Sequence, residues 1–318
     1  MTHGREIWQM AAGPKERSYA DVFFRYGVGL IGPGYTGPWE EGRSDEDFEG
    51  PYVRWFASEI KIGDVVLLRQ GAATIIAIGI VASNYMYLTQ FDDVMGWDLQ
   101  HARRIRWYKL PQEYSFATSV FGGQPRRLSR TWNQEVRDFA ERFLNSPPTE
   151  WQEAPLPDLP EEEPLLTEIP PSIAEIVAQA QDLVKLFWDQ EKFGDHPRED
   201  EMIAHLVIPF LRLLGWLPEQ IAVKWRDIDV AVFKGLPRKP ENCRFIIEAK
   251  RLGSPIENAL DQAKEYVKSL KISCDIIVTD GFRYRMYSSE NDFTPVAYAN
   301  LTWLKRSAID LFERMKKP

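Results

Sequence analysis

Residues 227–233 read DIDVAVF and residues 245–251 read FIIEAKR. Both are apolar runs of strand length that carry charge at one end: Asp229 opens the first strand and Glu248-Ala249-Lys250 closes the second. A strand buried on both faces is expected to be apolar throughout, so two acids and a lysine at strand ends need a chemical reason. Two carboxylates brought together repel unless a cation lies between them, and hard oxygen ligands suit Mg²⁺. Lys250 lies two residues beyond Glu248 and projects from the same face of the strand, where it can orient a water or stabilise developing phosphate charge. Taken alone, the spacing is as compatible with ordinary strand-end charges facing solvent.

Working outward, strands are expected at Asp229–Phe233, Cys243–Ala249, Asp275–Thr279 and Arg283–Tyr287. Helical spacing of apolar residues predicts helices over Ile173–Trp188, Glu199–Leu214 (stopped by Gly215) and Ile256–Leu270. That order predicts a mixed sheet flanked by helices. Gln262 and Tyr266 fall one helical turn apart, Glu201 sits at the start of the leading helix, and Thr279-Asp280-Gly281 follows a β run.

With these neighbours the segment from about 195 to 290 resembles the PD-(D/E)xK nucleases, especially the domain at the N-terminus of type I restriction motor subunits. The resemblance implies that Asp229 and Glu248 are metal carboxylates, joined by the Ala249 carbonyl, and that Lys250 is the catalytic lysine. It implies that Glu201 is the acid of the leading helix and that Gln262 and Tyr266 form a Q-x-x-x-Y motif supporting DNA and site geometry. Ile228 stands where the motif often has proline. The implied chemistry is phosphodiester hydrolysis with Mg²⁺, for which Mn²⁺ is a plausible substitute.

The stretch 146–171 holds eight prolines and seven acidic residues without Lys or Arg. Proline removes backbone donors and like charges repel, so an extended linker is expected, reaching up to ~80 Å as polyproline II and allowing cleavage at variable distances from a recognised base. The chain's net charge is −8; without these seven acids it is −1, so the acidity does not exclude a nucleic-acid partner. Residues 101–145 carry nine Lys/Arg (Arg103, Arg104, Arg106, Lys109, Arg126, Arg127, Arg130, Arg137, Arg142) against four acids. This regional excess is what binding a polyanion requires, although a basic cluster is more often a solvated face.

The part before the linker has a different texture, rich in glycine, aromatics and β-branched runs. Strands are expected at Val65–Leu68, Thr74–Val81 and Ile105–Leu110, with a turn at Lys61–Asp64 and a helix over Thr131–Leu144. Trp39 lies in Gly32-Pro33-Gly34-Tyr35-Thr36-Gly37-Pro38-Trp39, a loop unsuited to a regular core, and Trp97-Asp98 lies in a polar loop before the basic run. Aromatic walls, a hydrogen-bonding acid and nearby arginines can enclose a flipped base while contacting flanking phosphates. Gly63-Asp64-Val65-Val66, Ile75–Val81, Tyr85 and Gly96-Trp97-Asp98 look similar to PUA-like domains of the EVE and YTH type, over roughly residues 5–112. That likeness implies a small β-barrel holding a modified base in an aromatic cage, with Trp39, Trp97 and Asp98 as the foremost candidates and Tyr85 and Trp55 behind them.

The expected architecture is therefore two-domain α+β. A PUA-like β-barrel reads the base over 1–145, a Pro/acid-rich linker covers 146–171, and an α/β restriction-endonuclease-like mixed sheet flanked by helices covers 172–318. The expected activity is that of a modification-dependent, type IV-like DNA restriction endonuclease, acting on double-stranded DNA with modified bases as a homodimer. Two alternatives stay open: a nuclease gated by a small nucleotide signal bound in the N-terminal domain, and a non-catalytic DNA-binding protein. No G-x-x-x-x-G-K-[ST] loop occurs, so no NTP is expected. His3, His101, His196 and His205 are scattered, and neither H-E-x-x-H nor G-x-S-x-G is present. With only Cys243 and Cys274, a disulfide scaffold is excluded. The longest near-continuous apolar run, Ala72–Ala82, is too short to span a bilayer and MTHGREIWQM is not a secretion signal, so a cytoplasmic location is expected.

Overall fold

The computed structural model describes residues 5–13, 18–121, 127–148, 151, 154–166, 168–187, 193–194 and 197–318. His3, Arg126, Trp188 and His196 lie outside them. The chain forms two compact units, Met1–Glu162 and Glu163–Pro318. No helix among the described residues is long and apolar enough to cross a membrane.

The first unit is a curled mixed sheet of β1 (Ile7–Ala11), β2 (Val28–Ile31), β3 (Val65–Gln70), β4 (Thr74–Val81), β5 (Met86–Tyr87), β6 (His101–Ser115) and β7 (Leu128–Arg130). Its strands follow the order β2-β6-β4-β3-β1-β7, with β5 beside β6. All pairs are antiparallel except β1 with β3. Among the described residues the pairing path has two ends where a closed barrel has none, so the sheet is a half-barrel. Strand β6 is its spine: residues 101–104 pair with β2 and β5, and residues 105–115 pair with β4. The predicted Ile105–Leu110 strand is the middle of this longer element. The helix Gln134–Asn145 starts where Asn133 accepts the Val136 N–H at 3.1 Å, a side-chain cap that fixes its first turn.

The second unit is a six-stranded sheet in the order β13-β12-β11-β10-β9-β8. It comprises β8 (Ile221–Trp225), β9 (Ile228–Phe233), β10 (Cys243–Ala249), β11 (Asp275–Thr279), β12 (Arg283–Ser288) and β13 (Thr294–Asn300). Only β10 and β11 run parallel. Alternation sorts the two faces. Val230, Val232, Phe245 and Ile247 join Val177, Phe210, Leu211 and Phe312 in one core. Ala231, Phe233 and Ile246 pack with Ala259, Ala263 and Val267 in another. The period of two therefore puts Asp229, Glu248 and Lys250 on the side covered by the helix Asn258–Ser269.

The described residues of the acidic segment do not hang free as expected; residues 149, 150, 152, 153 and 167 of it lie outside the described ones. Prolines leave their neighbours' carbonyls without ladder partners, and each unit takes up the polar groups of its own part of that segment. Arg104 donates to the Pro157 carbonyl and Arg106 to the Ala154 carbonyl. Trp151 is buried against Tyr108 and Phe143, and its indole donates to the Arg106 carbonyl at 3.2 Å. Within the second unit, Glu163 accepts the Ser307 N–H at 2.6 Å, just before the helix Ala308–Met315, and the Leu166 N–H donates to the Leu304 carbonyl at 2.8 Å. A carboxylate beside a helix N-terminus is favourable, which accounts for an acid in this place.

Candidate active site and candidate base-reading loop

Strand register assembles the first site. In β9 and β10, Ile246 pairs with Ala231 and Ile247 with Val230, so one step further along Glu248 stands across from Asp229. Like charges directly opposite on adjacent strands are destabilising, and both residues are buried at 3% and 2% exposure. The surroundings answer this in part. Asp229 Oδ2 accepts the Ala249 N–H at 2.8 Å, and Oδ1 accepts the Lys224 ammonium at 2.6 Å. Lys250 reaches Glu248 Oε1 at 3.4 Å and donates to Gln262 Oε1 at 3.2 Å, while Gln262 Nε2 donates to the Tyr266 hydroxyl at 2.9 Å. Glu248 Oε2 is buried with no partner. Burial, reinforced by the Asp229 charge and opposed by Lys250, pushes the Glu248 carboxyl up to about 7.

Asp229, Glu248, Lys250, Gln262 and Tyr266 are thus brought together. Glu201 is not: its carboxylate accepts the Arg198 N–H at 2.8 Å and caps its own helix. The acid that couples to the site from this helix is Glu199, half-buried and raised in pKa first by burial and then by the Asp229 charge. Lys224 is the other residue that sequence reasoning misses. Among the described residues, no three His, Cys, Asp or Glu side chains are grouped to hold a metal. The donors here are two carboxylates with the Ala249 carbonyl beside them. Mg²⁺ is commonly held by one or two carboxylates completed by water and substrate phosphate, so the set, with its orphaned Glu248 oxygen, fits such a cation.

In the first unit the Gly32–Trp39 loop is clipped at both ends. The Trp39 N–H donates to the Tyr85 hydroxyl at 2.9 Å, which lies 2.8 Å from His101 Nδ1, and His101 Nε2 lies 2.7 Å from the Pro33 carbonyl. A carbonyl only accepts, so Nε2 carries the proton and Nδ1 accepts from Tyr85. Asp98 Oδ2 accepts the N–H groups of Gly34 and Tyr35 at 3.0 and 2.9 Å. Asp98 and Tyr85, both expected at a base pocket, thus hold the loop in place. A Cβ at Gly34 would overlap the end of the buried Gln100 side chain, which would have to shift to admit one.

The loop and its neighbours carry buried polar atoms without partners: Thr36 Oγ1, Trp39 Nε1, Trp97 Nε1 and both amide atoms of Gln100. Such orphans are costly unless something binds them. Thr36 and Gln100 have no distinguishing sequence pattern, so sequence reasoning passes over them. Trp97 meets Tyr19 edge-on at 6.5 Å, and Trp55 meets Tyr52 edge-on at 5.7 Å. The arginines expected on phosphates are partly committed elsewhere. Arg103 is buried and donates to the carbonyls of Phe56, Ala57 and Ser83, and burial lowers its pKa to about 10, so it stays charged at neutral pH. Arg104 and Arg106 hold the acidic segment.

Burial lowers His101 to about 4, far below the ordinary value of 6.5. A depressed pKa means that stability is fully present above pH 6.5 and is lost as pH falls toward 4, because the unfolded chain takes up the proton first. Protonation would also remove the acceptor for Tyr85. Urea melts of the full chain at pH 7 and about pH 4.5 are expected to differ by up to roughly 3 kcal/mol from this group. His101→Gln should flatten that dependence, and an unchanged pH slope in the variant would refute the assignment.

The family model described as "Domain of unknown function (DUF8426)" matches residues 35–123, which run from the loop through β6. No curated protein matches the chain. Among solved structures, the chain is similar to the fragment structure of a putative HsdR subunit of a type I restriction enzyme from Vibrio vulnificus YJ016. The likeness has 17% identity and a TM-score of 0.26, and covers 38% of this chain and 25% of that chain.

Proposed function

We propose that this chain is a modification-dependent DNA endonuclease, with a phosphodiester-cleaving site in the second unit and a base-reading loop in the first. The observation that carries the reading is the buried Asp229–Glu248 pair, set side by side by strand register, with Lys250 fixed beside it by Gln262. Asp229, Glu248 and the Ala249 carbonyl would hold a divalent cation, Mg²⁺ or Mn²⁺. When bound, that cation supplies Lewis acidity that activates water and offsets charge developing on the phosphate. Lys250 presents its ammonium to the same region, and the Gln262–Tyr266 hydrogen bond limits where it can swing. The orphaned Trp39, Thr36 and Gln100 atoms support a neutral, hydrogen-bonding ligand such as a flipped base at the loop.

Phage DNAs carrying different natural base modifications, and unmodified DNA, should be incubated with the full chain in Mg²⁺ and in EDTA. Cleavage of a modified DNA in Mg²⁺, lost in EDTA and in Asp229→Asn, is expected. Equal cleavage of all DNAs would sink the reader, and cleavage surviving Asp229→Asn would sink the nuclease site.

A further inference from the structure

Lys224 stands directly across a hairpin from the proposed metal carboxylate. In the β8–β9 register Val223 pairs with Val230 and Trp225 with Ile228, so Lys224 and Asp229 are the intervening opposed residues. Two left-handed residues, Arg226 at φ +52° and Asp227 at φ +71°, make the tight turn that sets this register. Lys224 itself is left-handed at φ +50°, a conformation unfavourable for any residue with a Cβ. Together with Glu248 on β10, these side chains form one lateral row across three strands: Lys224, Asp229, Glu248.

The charges of that row are not equivalent. The Asp229 side chain is 5% exposed and fixed by the Ala249 N–H, whereas the Lys224 side chain is 52% exposed. The Lys224 ammonium lies 2.6 Å from Asp229 Oδ1 and also 3.7 Å from Asp200 Oδ1, whose side chain is 79% exposed. The lysine is therefore the partner able to leave, and a second carboxylate lies within its reach.

We infer that Lys224 is a tethered counter-ion of Asp229 that competes with the divalent cation for Oδ1, and that Asp200 receives its ammonium when the cation binds. This rests on the nuclease reading of the Asp229–Glu248 pair. Lys224 is thus a positioning residue: it neutralises the buried carboxylate and sets how tightly the site takes a cation.

The test is Mn²⁺ titration of the full chain without DNA, followed by calorimetry and by the electron paramagnetic resonance of free Mn²⁺. Lys224→Met should tighten Mn²⁺ binding roughly five- to tenfold, because it removes the competitor. Lys224→Gly should do the same, and glycine accepts the left-handed backbone, so a folding defect in the methionine variant leaves the question answerable. Asp200→Asn should weaken binding about threefold by removing the receiving carboxylate. Arg226→Gln removes one positive charge from the same hairpin, where its guanidinium lies 5.0 Å from the Trp225 ring centre, and should change binding by less than about twofold. Unchanged or weaker binding in both Lys224 variants overturns the exchange. Equal gains in Arg226→Gln and Lys224→Met also overturn it, since the cause would then be the general field of the hairpin. Parent-like Mn²⁺ binding in Asp229→Asn removes the metal site itself and the exchange with it.

Discussion

Lys250→Ala is expected to lower DNA cleavage by about a thousandfold or more, while the melting temperature and DNA affinity stay near those of the parent chain. The side chain of Lys250 is 24% exposed and packs at the strand end, where truncation opens no cavity in either core. Its ammonium makes two contacts, to Glu248 and Gln262, and both partners lie in the proposed site. On the proposed reading, phosphate charge would develop beside this ammonium, and removing a positioned cation there costs transition-state stabilisation with little loss of ground-state binding. Lys250→Arg is not expected to restore cleavage, because a planar guanidinium is longer and directs its donors differently. Single-turnover cleavage in Mg²⁺ measures the first effect, and gel-shift titration in Ca²⁺ measures the second. Parent-like cleavage by Lys250→Ala would refute the assignment.

How much of this is legible in the sequence depends on which physical rule governs each residue. The carboxylate pair and Lys250 are readable because alternation in a buried strand leaves few reasons for charge at its end. Gln262 and Tyr266 follow from the helical period. Glu201 and Glu199 are hard to tell apart because three acids crowd the first turn of that helix, and nothing in their order names the one that faces the sheet. The physics of capping does separate them: the acid at the third helical position returns to the helix's own N-terminus, which leaves Glu199 for the site.

Lys224 is hidden for a different reason. Its strand, β8, has no clear sequence signal, and the turn after it is Arg226-Asp227 in place of the glycine or asparagine that usually announces such a hairpin. In the first unit a count of arginines treats them as free charge, but composition says nothing about acceptors. Backbone carbonyls of residues 56, 57 and 83 take Arg103, and those of the acidic segment take Arg104 and Arg106. The same bonds explain why a proline- and acid-rich stretch that reads as a free tether is held by side chains of the fold. Asp98 repeats the lesson, since a buried acid beside a glycine loop first satisfies the loop's own N–H groups.

Asp280→Ala should have the largest effect on stability, about 3–5 kcal/mol, because it removes the carboxylate that neutralises a buried guanidinium. Asp280 and Arg283 have side-chain exposures of 0% and 2%. Arg283 Nε and Nη2 donate to Asp280 Oδ2 at 2.9 and 2.7 Å, and Nη2 also donates to the Ser254 carbonyl at 2.9 Å. Asp280 Oδ1 accepts the N–H groups of Phe282 and Arg283 at 3.2 and 2.8 Å, closing the turn between β11 and β12. The turn is packed tightly: Gly281 has φ +90°, and a Cβ there would lie 2.6 Å from Met202 Cγ on the leading helix. The cost arises from the charge left behind, so Asp280→Ala combined with Arg283→Met should recover a large part of it, and a double-mutant cycle by urea unfolding measures the coupling. Additive losses would show that the pair does not act as a unit. The turn also bears on the site, since the Lys250 N–H donates to the carbonyl of Thr279, the residue just before Asp280. Asp280→Ala is therefore expected to lose cleavage and fold together, and the double variant to regain both. Lys250→Ala should lose cleavage alone. That contrast separates the proposed role of Lys250 at the phosphate from a role in holding the strand ends in place.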